Sequence, residues 1–381
     1  MNIKQQMSIE EKIDFLRVIR TKNIGPISFL HLLHTYKTID RVIQYLETKM
    51  HVCSKNTAIA EIKKINDYGA QLVAFSDPEY PSLLRNMRDY PPIICVKGNL
   101  DLLSSKKLFS IAGSRACSLQ SQVITKKIAL EMGEQGYKIV SGLARGIDTI
   151  AHQNSINTGT IAVLANGIDH IYPSENKNLY DKIADQGLLL SEVAFGTRPS
   201  SHLFPNRNRI IAGMSLGVLV VEAGLKSGSL ITAQCAVDNG REVFAIPGCP
   251  LDPRSRGTNK LIKQGAILVE FSYDILNSFA SFSLKEPKSE YIPDIKQNTL
   301  EEGLIDQQLE EKDDKLVGAK DQILKMIGFF PISIELLINK MNLPVRIVKS
   351  LLVQLEIEGH IQHLWGNKVA LKDKNQTKDF Q

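Results

Sequence analysis

The sequence predicts an α/β protein: a Rossmann-like, doubly wound, mostly parallel sheet, with a small helical N-terminal domain and a C-terminal winged-helix domain. Three observations lead there. From Lys107 onward, short apolar runs alternate with helical stretches. The residues just past those runs are rich in Gly, Ser and Arg. An acidic stretch then separates this region from a final block with its own helix and hairpin signals.

Residues 1–75 are predicted to be helical. Ile13, Leu16, Val18 and Ile19 share one face of a helix over Ile9–Arg20, and Asn23-Ile24-Gly25-Pro26 is a turn. Helices over Ile27–Tyr36 and Ile39–Thr48 follow. A helix, a Gly-containing turn and another helix resemble a degenerate helix-hairpin-helix unit, whose turn can offer backbone N–H groups to a phosphate; small helical bundles also use such turns structurally. Residues 76–106 are dense in Pro and Gly and read as a connector with one short strand at Ile93–Val96.

The alternation begins at Lys107 and defines a domain over residues 107–276. Its strands are expected at Leu108–Ala112, Lys138–Ser141, Ile161–Ala165, Leu188–Ser191, Gly217–Val221 and Val243–Ile246, with a seventh at Ile267–Val269. Helices are expected over Leu119–Gln135, Ile147–Asn157, Glu175–Gln186, near Arg209, and over Leu230–Asn239. Continuous apolar strands between helices indicate a parallel sheet covered on both faces, and right-handed crossovers make it doubly wound.

Residues 277–317 read as an acidic, flexible linker, since residues 281–316 hold five Lys against ten Asp and Glu. Residues 318–372 read as the winged helix. Helices at Asp321–Met326, Ser333–Met341 and Val345–Glu358 precede a hairpin of His360–Leu364 and Lys368–Leu371, turned at Gly366-Asn367. The second and third helices are marked by Pro331 and Pro344, and Gly359 closes the third. Arg346 and Lys349 on the third helix are balanced by Glu356 and Glu358, so contact with a protein partner is at least as plausible as contact with duplex DNA.

The net charge is +5, concentrated on either side of the acidic stretch. Basic segments fit nucleic-acid binding, although a charge run is usually a solvated face. The five cysteines are odd in number, widely spaced and without a C-x-x-C pair, so neither a disulfide framework nor a zinc site is expected. No apolar run is long enough for a membrane helix, and MNIKQQMSIEEK has no signal-peptide core; a cytoplasmic protein is expected.

In an open α/β sheet, ligands bind beyond the carboxyl ends of the strands. Here those ends carry Gly113-Ser114-Arg115, then Ser141-Gly142 through Arg145 and Asp148, Asn166-Gly167, Tyr172-Pro173, a loop ending in Arg207-Asn208-Arg209, Glu222-Ala223-Gly224 with Ser227 and Ser229, and Pro247-Gly248. Glycines admit an anion close to the backbone. The N–H groups of the following helix point at it, and Ser hydroxyls and Arg forks add directed donors. G-x-G-x-x-G is absent after the first strand, and G-x-x-x-x-G-K-[ST] is absent altogether. A row of phosphate loops, with Arg115, Arg145, Arg207 and Arg209 among them, suits the backbone of a nucleic-acid strand better than one nucleotide. No cofactor or metal is expected.

The same residues resemble a known family. Gly113-Ser114-Arg115, SGLARGID at 141–148, Ala151-His152, NGIDHIYP at 166–173, Ser191-Glu192, FPNRNRIIAG at 204–213, VVEAGLKSGSLITA at 220–233, IPG at 246–248 and GTNKLIKQGA at 257–266 are similar to the motifs of the DNA-processing protein A (DprA, or Smf) family over about residues 75–270. The resemblance implies a non-enzymatic bacterial protein. It would bind single-stranded DNA, load RecA recombinase onto it, support natural transformation, and act as a homodimer through the Rossmann domain. It implies DNA contact by Arg115 and Lys177, with Gly113, Ser114, Ser141, Gly142, Asn208 and Ser229 on loops facing the same pocket.

The competing enzyme would be a nucleotide hydrolase of the phosphoribohydrolase type. That family carries P-G-G-x-G-T-x-x-E near the fifth strand, and the stretch from Glu222 to Ser229 lacks the run. Ser141, Asp148 and His152 invite a triad, yet Asp148 and His152 at i, i+4 are better read as orienting the loop. Glu222 is better read as a loop anchor than as a base.

Overall fold

The computed structural model describes residues 6–283 and, beyond them, 319–320, 323–324, 327, 332–341 and 343–372. Residues 284–318, most of the acidic stretch, lie outside the described residues, as do parts of the helix expected at Asp321–Met326. The chain forms two compact units, Met1–Ile262 with Ile267–Ser272, and Lys263–Ala266 with Tyr273–Gln381.

The first unit opens with four helices: α1 (Ile9–Ile19), α2 (Pro26–Tyr36), α3 (Ile39–Glu47) and α4 (Lys55–Asp67). Ser8 starts α1 with a reciprocal cap: its hydroxyl accepts the Glu11 N–H, and the Glu11 carboxylate accepts the Ser8 N–H. Gly25 and Pro26 set the start of α2, where the missing proline N–H costs nothing. Phe15, Leu16, Phe29, Val42, Leu46 and Ile65 form the helical core. That core is continuous with Leu72, Cys95, Leu164, Ile183 and Leu189 of the sheet layer.

The chain continues through β1 (Gln71–Ala74), α5 (Ser82–Arg85), β2 (Ile93–Gly98), β3 (Leu108–Ala112), α6 (Leu119–Glu134), β4 (Lys138–Ser141), α7 (Ile147–Gln153), β5 (Thr160–Leu164), α8 (Lys177–Gln186) and β6 (Leu188–Ser191). It closes with α9 (Leu203–Gly213), β7 (Gly217–Val220), α10 (Ser229–Asp238), β8 (Glu242–Ala245), α11 (Arg256–Lys263), β9 (Ile267–Leu268) and α12 (Ser272–Ser283). The sheet has nine strands in the order β1-β2-β6-β5-β4-β3-β7-β8-β9. All neighbours are parallel except β2, which runs antiparallel to β1 and β6. β3 to β7 are almost wholly buried, the covered condition their unbroken apolar runs predicted.

Three boundaries need correction. The helical region does not end at residue 75, because Gln71–Ala74 is the edge strand β1. Residues 76–106 are not a connector: Cys95 pairs with Leu72 on one side and Ser191 on the other, so β2 is part of the sheet. The boundary at 276 falls inside α12.

The second unit contains all but the first residue of α12, then β10 (Ile332–Ser333), α13 (Ile334–Met341), α14 (Val345–Ile357), β11 (Ile361–Leu364) and β12 (Lys368–Leu371), the strands ordered β10-β12-β11. Gly366 and Asn367 both have positive φ in the hairpin loop, a backbone these two residue types tolerate best. Leu337, Val348, Leu351, Leu352, Leu355 and Val369 are its core. This is the winged helix that the sequence predicted.

Candidate functional site

Successive crossovers carry β4, β5 and β6 to one side of β3, and β7, β8 and β9 to the other. The loops after β3 and β7 therefore part from each other at the carboxyl edge of the sheet, where a doubly wound fold opens a crevice. A cleft of about 690 Å³ lies there. Gly113, Arg115, Tyr172, Phe204, Asn208 and Ser229 line it.

The loops after β3 and β4 pack closely against their neighbours, which explains their glycines. A Cβ on Gly113 would meet Ile147 Cγ1 at 2.6 Å. Gly146 has φ +74°, and its Cβ would meet the Ser114 carbonyl at 2.3 Å. That carbonyl accepts the Ile147 N–H at 3.2 Å. Beyond this junction Arg115 is exposed and makes no ion pair among the described residues. Its guanidinium carbon sits 5.2 Å from the Phe204 ring centre, an arrangement in which a flat cation rests on an aromatic face.

The loop after β4 is held from beneath. The Asp148 carboxylate accepts the N–H groups of Gly142 at 3.1 Å and Ala144 at 3.4 Å. Burial raises the Asp148 pKa from its ordinary value, and the neighbouring Arg207 charge opposes that shift. His152 Nε2 accepts the Leu143 N–H at 3.3 Å, while its Nδ1 lies 2.7 Å from Thr160 Oγ1. Thr160 donates to the Ile139 carbonyl, so Nδ1 carries the ring proton. Burial, helped by Arg207, lowers the His152 pKa to about 3 and keeps the ring neutral. Ser141 is wholly buried, and its hydroxyl donates to the Ile111 carbonyl at 2.7 Å. No triad forms; Asp148 and His152 support the loop. Ser141 is accordingly corrected from a ligand-facing residue to a bond between β4 and β3.

The remaining cations fall into different settings. Arg145 is exposed and paired with Glu175 at 2.6 Å. Lys177 is the exposed first residue of α8, and it lines neither this cleft nor the smaller pocket beside it. Arg207 lines the cleft but is buried, donating through Nη1 to the Val163 carbonyl at 2.8 Å. Burial lowers its pKa to about 10. Arg209 is corrected out of the site: it pairs with Glu192 and Asp89 and lines a separate groove with Ile19 and Ile24.

On the far wall, Asn208 donates to the Gly228 carbonyl at 3.3 Å, and the Ser227 and Ser229 hydroxyls are 2.7 Å apart. Glu222 is buried and anchors the start of α6, accepting from the Ser118 N–H at 3.0 Å and the Ser121 hydroxyl at 2.8 Å. The sequence reading placed Tyr172 and Phe204 in strand-end loops but assigned neither a contact with the ligand. Their signal was present, since each aromatic adjoins a proline at a strand-end loop, but nothing local says that the two loops meet.

A family model described as "DNA recombination-mediator protein A" matches residues 71–280. The chain belongs to that family. Models for a DprA winged-helix domain and a DprA-like N-terminal HHH domain match residues 307–367 and 9–64. The family's DNA processing protein DprA from Streptococcus pneumoniae is 47% identical over 205 residues, covering 53% of this chain and 72% of that one. Protein Smf of Escherichia coli is 38% identical over 296 residues, covering 77% and 75%. The X-ray structure of the pneumococcal protein superposes with a TM-score of 0.61 at 34% identity, covering 72% of this chain and 98% of that one. DNA processing protein A from Helicobacter pylori superposes with a TM-score of 0.52 at 29% identity, covering 56% and 96%; its structure is described in terms of a single-stranded DNA binding mode.

Proposed function

We propose that this chain binds single-stranded DNA along the cleft between the β3 and β7 loops and loads a RecA-type recombinase onto it, as a homodimer, in DNA uptake and recombination. Arg115 carries the proposal. Its guanidinium has no acidic partner among the described residues and is braced on Phe204 over glycine-lined backbone, the arrangement that a phosphate needs. The naming of the Helicobacter relative's single-stranded DNA binding mode supports this choice of ligand.

Titration of labelled oligonucleotides tests it. Single strands should bind more tightly than duplex, with log K falling against log salt by about 0.7 for each phosphate neutralised. Arg115→Ala should weaken binding and flatten that slope. Equal affinity for duplex, or a slope unmoved by Arg115→Ala, would refute the assignment. Recombinase loading has its own readout: this chain should speed filament assembly on a strand already coated by a single-strand-binding protein.

A further inference from the structure

We propose that two copies of this chain meet through the exposed face of α14, antiparallel about a two-fold axis, which makes the third helix of the winged-helix unit a self-association surface. Arg346, Lys349, Ser350, Val353, Glu356 and Ile357 lie at steps of three and four residues along α14, the spacing of one helix face, and all are exposed. They form a stripe opposite the buried Val348, Leu351, Leu352 and Leu355. The middle and one end of that stripe are apolar: Val353 is 51% exposed and Ile357 80%. A helix that reads duplex DNA turns basic and hydrogen-bonding side chains into the groove. This one sets branched hydrocarbon where such donors belong, and exposed hydrocarbon of this kind marks a protein contact.

The occupant is a second copy because the stripe is complementary to itself. Lys349 and Glu356 lie on the same flank of Val353, one before it and one after it along the helix. In an antiparallel two-fold pair each flank meets the same flank of the other copy, so residue i meets j and j meets i. Lys349 then faces the partner's Glu356, and Glu356 faces the partner's Lys349, when the axis passes between positions 352 and 353. The same register lays Val353 against the partner's Val353 and places Ile357 over the partner's Ser350, a small side chain that leaves room for it. A parallel pair would bring identical residues to one level and lose both charge contacts. Lys349 makes no ion pair among the described residues. Glu356 touches His363 Nδ1 at 2.7 Å, but it is exposed, and a carboxylate retains lone pairs for a lysine beside it. One helix of 13 residues against its copy buries less than the roughly 1,200 Å² of a stable interface. The contact therefore closes where two copies are already held near each other.

Mild oxidation of the full chain carrying Val353→Cys tests the pairing, with the unsubstituted chain as background for its five native cysteines. Copies of position 353 lie about 1.5 Å apart along the axis in this register, whereas copies of position 346 lie about 20 Å apart. Val353→Cys should therefore link two chains through a disulfide, and Arg346→Cys should not. In the Val353→Cys background, Lys349→Glu or Glu356→Lys alone sets like charges together twice and should slow linking about tenfold. The two reversals combined restore the opposite-charge contacts and should restore the rate. Linking at 353 no greater than background overturns the pairing, as does equal linking at 353 and 346. A combined variant that stays as slow as the single reversals overturns it too. Loss of linking on addition of duplex DNA, with duplex binding weakened by Lys349→Glu, would give this face to DNA instead.

Discussion

A Cβ placed on Gly142 would stand 1.7 Å from Nη1 of Arg207. The backbone of the loop after β4 thus lies directly on a buried guanidinium that is itself tied to β5 through Val163. Gly142→Ala should displace one or the other. Overpacking of this kind costs about 1–3 kcal/mol, visible as a lowered Tm, and weaker oligonucleotide binding should accompany it.

Arg209 and Arg115 should separate stability from binding. Arg209→Ala strands the Glu192 carboxyl, whose pKa burial already raises and Arg209 holds down. Leaving a fully buried partner unpaired costs about 3–5 kcal/mol; this pair keeps some exposure, so a smaller loss is expected. Denaturant unfolding should register that loss, while the salt slope of DNA binding stays where it was. Arg115→Ala should show the reverse pattern.

Glu175 competes for a cation beside the site. Both it and Arg145 are exposed, and the pair closes at 2.6 Å. Glu175→Gln releases Arg145. Binding to a single strand should tighten, and the salt slope should steepen by up to about 0.7 if the freed charge meets a phosphate.

His152 gives the fold an acid sensitivity. Its folded pKa of about 3 lies below the ordinary value of 6.5. The unfolded chain therefore takes up a proton that the folded chain refuses between those values. Stability contributed by the neutral ring is complete above about pH 6.5 and declines by up to ~1.4 kcal/mol per pH unit as the pH falls toward 3. Asp148 acts in the opposite sense, because its raised pKa favours the folded state as its carboxyl protonates. His152→Gln should flatten the decline, measured by urea unfolding between pH 7 and 4.

Much of this architecture was legible because strand and helix periods differ. The six strands expected from Leu108 to Ile246 all form, within a residue or so at each end, and the wing hairpin turns at Gly366-Asn367. β1 and β2 were harder to read. Both are short, they surround a Pro-rich stretch, and the pairing of β2 with β6 joins segments about ninety residues apart along the chain. The site was legible as a set of loops and less so as individual side chains. Sequence places Ser141 and Arg209 at strand-end loops, but burial and partner choice are tertiary properties. They turned Ser141 into the sheet and paired Arg209 with Glu192. The partnership of Phe204 with Arg115 escaped notice for the same reason, since only the fold brings the two together.

The switch between β3 and β7 has a consequence for how the site comes into being. Ser110 pairs with Val218 across it, so the two walls are supplied by segments far apart in the sequence. Neither half of the chain owns a partial version of the cleft. Arg115 meets Phe204, and Gly142 meets Arg207, only where loops from different crossovers are brought to the same edge of the sheet. The cleft is an all-or-none product of the finished sheet, and a ligand that fills it recognises the native state alone. Binding then stabilises the folded domain by RT ln(1 + [L]/Kd).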